Sequence, residues 1–191
     1  MQPDTPRRID PVGAGVLLRA GAVLVYPTEA VWGIGCDPGN PAAIERLLQI
    51  KQRPVAKGMI VVCDELARVA EWVDLDALPT ARREAVLASW PGPNTWTLPA
   101  TPRAPTMLRG DHDTLAVRVS AHPVVVAMCV AFGGALVSTS ANLAGHPPAF
   151  AESELDPGLL AKVDALVEGV TGGLSAPTPI RDARTGEVLR G

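Results

Sequence analysis

Short apolar runs alternate along the chain with amphipathic stretches, and the pattern predicts strands alternating with helices. Asp10-Pro11 reads as a helix start, with Asp as the cap and Pro at the first helical position, and Gly21 as its stop. AVLVY (22–26) follows as a buried strand, and PTEAVWGIGCDPGN (27–40) as a Gly/Pro-rich loop. Asn40-Pro41 opens a second helix, in which Ile44, Leu47, Leu48 and Lys51 recur at helical spacing, so that Lys51 arrives at its end. MIVVC (59–63) is the next strand. A helix near 80–89, strands near 94–99 and at 115–119, a helix in HPVVVAMCVAFGG (122–134 with its terminal glycines) and the strand ALVS (135–138) continue the alternation. Asp156-Pro157 starts a further helix, DALVE (164–168) is a short strand, and TPIRD and EVLR flank a hairpin turn at Arg184-Thr-Gly. Such alternation argues for an α/β architecture with a mixed sheet. With no repeat, linker or composition shift, the 191 residues read as a single domain.

Composition narrows the function classes. Aromatic residues make up only 4% of the chain, which disfavours a surface that stacks many bases on rings. A formal net charge of -3 disfavours coating nucleic acid by charge alone. Cys36, Cys63 and Cys129 are far apart, odd in number and set in or beside apolar runs, as reduced packed thiols are. His112, His122 and His146 have no metal-ligand spacing with them, so no metal site is expected. The N-terminus has no apolar signal core and no run approaches a bilayer span, so the expected location is cytoplasmic, away from membranes.

Against that acidic background, KQRPVAKG (51–58) places Lys51, Arg53 and Lys57 within seven residues. Cations beside free N–H groups in a Gly/Pro loop suit a polyphosphate. An exposed basic helix end, favoured by the helix dipole, needs the same residues, and spacing does not separate the two. STSANLAG (138–145) puts Ser138, Ser140 and Asn142 at the end of a strand, where open α/β sheets bind ligands and where Ser/Asn turns also satisfy their own backbone. Arg118 interrupts the apolar LAVRV, so it either pairs with an internal acid or faces a polar cavity. Thr28 and Glu29 are candidates only by position at a strand end, since their loop matches neither a dinucleotide fingerprint nor a P-loop.

Taken together, YPTEAVWGIGCDP, KQRPVAKGMIVV, WPGPNTWTLPA, LAVRVSAHPVV, LVSTSANLAGHPP and IRDARTGEVLRG occur in the order and spacing of the YrdC-type domain. From about residue 9 to 191 the chain resembles that family, in its short bacterial form. The resemblance implies a twisted, open mixed sheet with helices on its faces and a deep basic cavity. It also implies a nucleotidyltransferase that makes threonylcarbamoyl-AMP from L-threonine, bicarbonate and ATP, releasing pyrophosphate, for N6-threonylcarbamoylation of tRNA adenosine 37. ATP is then a substrate, with Mg²⁺ as the accompanying ion, and tRNA and other tRNA-threonylcarbamoylation proteins are the implied partners. Carried over residue by residue, Lys51, Arg53, Lys57, Ser140, Asn142 and Arg190 bind ATP, and Lys51, Arg53, Ser140 and Asn142 form the catalytic set. Thr28, Thr114, Arg118, Ser138 and Thr178 surround the threonine, with Arg118 on its carboxylate. Charge-assisted contacts of about 1.5–3 kcal/mol each make three to five of them sufficient for ordinary nucleotide affinity.

The chain departs from the longer relatives in two ways. Their histidine on the strand after the KxR loop is absent from Met59–Cys63, and 191 residues leave no room for their second domain. Glu29 is the one side chain offered as a base. The alternatives are a carbamoyl-adenylate-forming domain, whose chains also carry zinc fingers and an acylphosphatase region, and an RNA-binding module in ribosomal RNA maturation.

Overall fold

The computed structural model describes residues 6–190. Its first half runs β1 (Arg7–Ile9), α1 (Pro11–Arg19), β2 (Leu24–Pro27), β3 (Trp32–Gly35), α2 (Pro41–Lys51), β4 (Ile60–Cys63) and α3 (Thr80–Ala88). The second half runs β5 (Thr95–Pro99), α4 (Thr106–Arg109), β6 (Thr114–Val119), α5 (Pro123–Phe132), β7 (Leu136–Ser140), α6 (Pro157–Leu160), β8 (Ala165–Val167), β9 (Ile180–Asp182) and β10 (Val188–Arg190).

The three acid- or amide-proline pairs expected to start helices do so by the expected chemistry. Asp10 accepts from Gly13 N at 2.6 Å, Asn40 from Ala43 N at 3.1 Å and Asp156 from Leu159 N at 2.8 Å, while proline fills the position that needs no N–H. The ten strands form one mixed sheet in the order β1-β8-β2-β3-β7-β4-β6-β5-β9-β10. β1/β8, β2/β8, β4/β6 and β5/β9 pair in parallel, and the other neighbours are antiparallel.

Alternation along the central strands divides the core into two layers. Val25, Ile34, Val61 and Val137 pack on the α2 side with Ile44, Leu47 and Ile50. Leu24, Tyr26, Val62 and Leu136 face α1 and α5, meeting Leu18, Val125 and Met128. Because both faces are covered, these strands read as continuous apolar runs.

One strand departs from the expectation of a Gly/Pro-rich loop. Residues 32–35 form β3, paired with β2 on one side and β7 on the other. Glycine is a poor strand former, but here the fold requires its missing side chain. A Cβ on Gly35 would stand 1.8 Å from the Val137 carbonyl oxygen. A Cβ on Gly33 would come within 3.4 Å of both the Thr28 methyl and the Ser138 hydroxyl, at the site described below. β1 and α4 were also not anticipated; a three-residue strand and a four-residue helix carry little periodicity.

α1 and α5 cross at Gly15, where a Cβ would lie 2.5 Å from the Ala131 backbone carbon. In an open helix, Gly→Ala gains up to about 1 kcal/mol. At this crossing the sign inverts: Gly15→Ala is expected to lower the midpoint of thermal unfolding, reflecting an overpacking cost of about 1–3 kcal/mol. Differential scanning calorimetry checks it.

Candidate functional site

The ends of β3, β4, β6 and β7 enclose a concavity with two lobes. The larger, about 420 Å³, is walled by the KQRPVAKG loop, the stretch before β6 and the β9–β10 hairpin. The smaller, about 230 Å³, lies over β3 and is closed by the segment leading into β9. Ile60, Ser138, Thr139, Ser140 and Arg190 line both, so the lobes share one wall.

Arg53, Lys57, Ser140 and Arg190 all line the larger lobe. Arg53 is held there by donating from Nη2 and Nε to the Gly58 carbonyl, at 2.9 and 3.2 Å. Thr28, Arg118, Ser138, Thr178 and Asn142 line the smaller lobe. Thr178 reaches it because its segment is stitched to the β2–β3 turn: Gly172 N donates to Thr28 O at 3.0 Å and Leu174 N to Glu29 O at 3.3 Å. Arg53 and Asn142, from distant loops, thus stand on adjoining lobes of one hollow.

Two residues lie elsewhere than expected. Thr114, at the start of β6, lines the larger lobe; of the four residues grouped with it, only Ser138 also reaches that lobe. Lys51 is not in the wall of either lobe. Buried at the end of α2, its ammonium donates to the Ser140 carbonyl at 2.5 Å and to the Asn142 carbonyl, with Asn142 Oδ1 at 3.5 Å. The lysine therefore braces the backbone of the STSAN loop. Asn142 continues the brace, its Nδ2 donating to His146 O at 2.7 Å and Leu143 O at 3.0 Å.

Glu29 is also committed elsewhere. Its carboxylate receives Arg118 Nη1 at 2.9 Å and Ser120 Oγ at 2.6 Å, all three residues being buried. With both oxygens occupied by an ion pair and a hydroxyl, it is a partner for Arg118 and not a free base. The two readings of Arg118 are both realised: it pairs with an internal acid and lines a polar cavity.

Several wall residues went unread in the sequence. Arg109 and Arg184 add to Arg53, Lys57 and Arg190, making five cationic side chains in the larger lobe against the two carboxylates of Asp113 and Asp182. Arg109 ends the short helix α4 outside the quoted motifs, and Arg184 stands in the hairpin turn read as purely structural, so neither was given a site role. Thr139, between two chosen residues, lines both lobes, as does Ile60.

Crowding of like charge leaves its mark on acidity. Burial, and then the charge of Arg53, lowers Lys51 to about 8. Burial, and then Arg190, lowers Arg53; burial, and then Arg118, lowers Arg190. A row of cations that repel one another, with Arg53 and Arg109 resting on carbonyls, has the chemistry to attract an anion with several charges.

The family model described as "Telomere recombination", Sua5/YciO/YrdC, matches residues 16–191. The chain belongs to the Sua5/YciO/YrdC family. Within it, a threonylcarbamoyl-AMP synthase of Xanthomonas euvesicatoria pv. vesicatoria (strain 85-10) is 62% identical over 173 residues, covering 91% of this chain and 92% of its own. A threonylcarbamoyl-AMP synthase of Stenotrophomonas maltophilia (strain K279a) is 61% identical, covering 91% and 93%. Among solved structures, P. abyssi Sua5 complexed with L-threonine superposes with a TM-score of 0.82 at 22% identity, over 93% of this chain and 53% of that one. This chain therefore spans about half of the P. abyssi protein. E. coli YciO superposes with a TM-score of 0.78 at 24% identity, over 97% and 95%. These likenesses establish the YrdC-type α/β fold expected from the motifs.

Lys51 offers a direct check of the brace, since the chain has only Lys57 and Lys162 besides it. In a ¹⁵N-detected titration its ammonium is expected to lose its proton near pH 8. The unfolded chain holds that proton to about 10.4. Between those values the unfolded state binds more protons, so this residue's contribution to stability rises with pH across that window.

Proposed function

We propose that the chain makes threonylcarbamoyl-AMP from L-threonine, bicarbonate and ATP, releasing pyrophosphate, as a nucleotidyltransferase. The observation that carries this reading is the pair of adjoining lobes: one lined by five cationic side chains, the other by the Glu29-paired Arg118 among hydroxyls, with Arg190 in the wall they share. The relatives' names support it. So does the scale of the lobes, which suits a nucleotide beside a small amino acid.

In this reading the triphosphate rests on Arg53, Lys57 and Arg190 in the larger lobe, with Ser140 at the wall. Threonine occupies the smaller lobe, its α-carboxylate on Arg118 and its polar groups among Thr28, Ser138 and Thr178. Lys51 acts by setting the loop that carries Ser140 and Asn142, and Thr114 belongs with the nucleotide. The amine adds to bicarbonate with loss of water, giving a carbamate. A carbamate oxygen then attacks the α-phosphorus, the bond to the bridging oxygen of the β-phosphate breaks, and pyrophosphate leaves with that electron pair. Such a transfer asks for alignment and charge neutralisation more than for a protein base, which accords with Glu29 being committed to Arg118.

Among the described residues no three His, Cys, Asp or Glu side chains converge. Mg²⁺ is read as accompanying the nucleotide's phosphates. No helix of the described residues is long and apolar enough to cross a membrane. The product would serve tRNA adenosine modification by further proteins, in the cytoplasm.

The test is threonine-dependent pyrophosphate release from ATP and labelled bicarbonate. Wild-type protein is expected to turn over, and Arg53→Ala to fall by at least about 100-fold with an unchanged melting temperature, as loss of a pre-set charge contact does. Arg118→Met is expected to raise the threonine KM by about tenfold or more while sparing that for ATP. Release that needs carbamoyl phosphate, or none at all, refutes the reading.

A further inference from the structure

One ion pair stands apart from the others. Arg184 Nη2 lies 2.8 Å from Asp113 Oδ2, and both residues line the larger lobe. Of the ion pairs among the described residues, no other has both members in a cavity wall.

The backbone explains how they meet. Asp113 directly precedes β6, and Ala100 N, just past β5, donates to its carbonyl at 3.0 Å. Arg184 follows β9, where Ala183 N donates to Thr97 O of β5 at 3.2 Å. β6 and β9 flank β5, so with strands about 4.8 Å apart the two segments are separated by roughly 10 Å. Only a long side chain spans that distance, and Arg184 does so across the edge of the lobe. Its backbone is already set: Asp182 Oδ1 accepts from Arg184 N at 2.6 Å and from Thr185 N at 3.2 Å, fixing the turn while leaving the side chain free to swing.

The partner is what makes the pair informative. Arg53 and Arg109 rest on carbonyls, of Gly58 and His112, which orient a guanidinium and leave its charge in place. Arg184 instead rests on a carboxylate that is itself mostly exposed. Exposed pairs of this kind hold weakly, whereas a phosphate chain with several charges engages a guanidinium bidentately. A ligand entering the lobe therefore competes with Asp113 for the same group.

We infer that Arg184 is a gating cation, held by Asp113 over the mouth of the larger lobe in the free protein and transferred to the nucleotide's phosphates on binding. This rests on reading that lobe as the nucleotide site. It predicts effects of opposite sign from the two halves of one ion pair, which a merely structural bridge does not.

Calorimetric titration with ATP, without threonine so that no turnover occurs, tests it on four proteins. Arg184→Gln is expected to weaken ATP binding about tenfold, the scale of one charge-assisted contact. Asp113→Asn is expected to tighten it about threefold, the scale of a released exposed pair. The double variant is expected to match Arg184→Gln, because Asp113 acts through the arginine. If Asp113→Asn tightens binding equally in the Arg184→Gln background, the carboxylate acts only through space and the gate is refuted. Equal weakening by both single variants, or no change in either, refutes it as well. Wild-type protein that fails to bind ATP overturns the nucleotide reading and the gate with it, whereas wild-type binding with unaltered variants overturns the gate alone. Both side chains are exposed, so unchanged melting temperatures are expected throughout.

Discussion

The structure depends on keeping several like charges close together without cancelling them. Gathering guanidinium groups in a partly buried hollow is unfavourable through desolvation and mutual repulsion. The fold meets that cost largely with carbonyl oxygens. Gly58 holds Arg53, His112 holds Arg109, and the STSAN backbone holds Lys51. A carbonyl dipole fixes geometry but carries no net charge, so the positive potential survives for a ligand. The smaller lobe follows the opposite rule. There Glu29 pairs with Arg118 in the interior, so Arg118 brings no net charge, and Arg190 reaches the lobe only through the shared wall. Two lobes sharing one wall thus differ in charge: five cationic side chains against two carboxylates in the larger, a buried ion pair beside the shared Arg190 in the smaller.

That division is possible because the surrounding sheet is covered on both faces. β7, which delivers Ser138, Thr139 and Ser140, lies between β3 and β4, and its apolar start is anchored in both core layers through Leu136 and Val137. β3 contributes by what it lacks: glycine at position 33 leaves space next to Thr28 and Ser138, and glycine at position 35 lets the strand approach β7. Hydroxyls on a rigid strand end, beside an opening made by glycine, form a binding surface that needs little rearrangement to work.

Much of this was legible beforehand. The helix starts at Asp10, Asn40 and Asp156 are local chemistry, a side-chain oxygen accepting an N–H three residues on with proline pre-set between them. The motif order identified the family, and the grouping of Thr28, Arg118, Ser138 and Thr178 followed from it. Other features were hidden for definite reasons. β3 was unreadable because its glycines argue against a strand everywhere except between these two neighbours. Lys51 was placed on the phosphates by resemblance to the family, and nothing local showed that the STSAN loop lies across it and takes the ammonium.

What the sequence by itself determined was the set of local decisions: where helices begin, which runs are buried, which loops are rich in cations or hydroxyls, and which family carries those motifs in that order. Each rests on interactions within a few residues or on a pattern preserved along the chain. Only the tertiary structure decided which cation faces the hollow and which braces its wall, that Glu29 belongs to Arg118, and that Arg184 meets Asp113. Those outcomes depend on contacts between residues about 70 to 90 positions apart, and direction in space at that separation is set by the packing of the sheet, on which the local sequence carries no information.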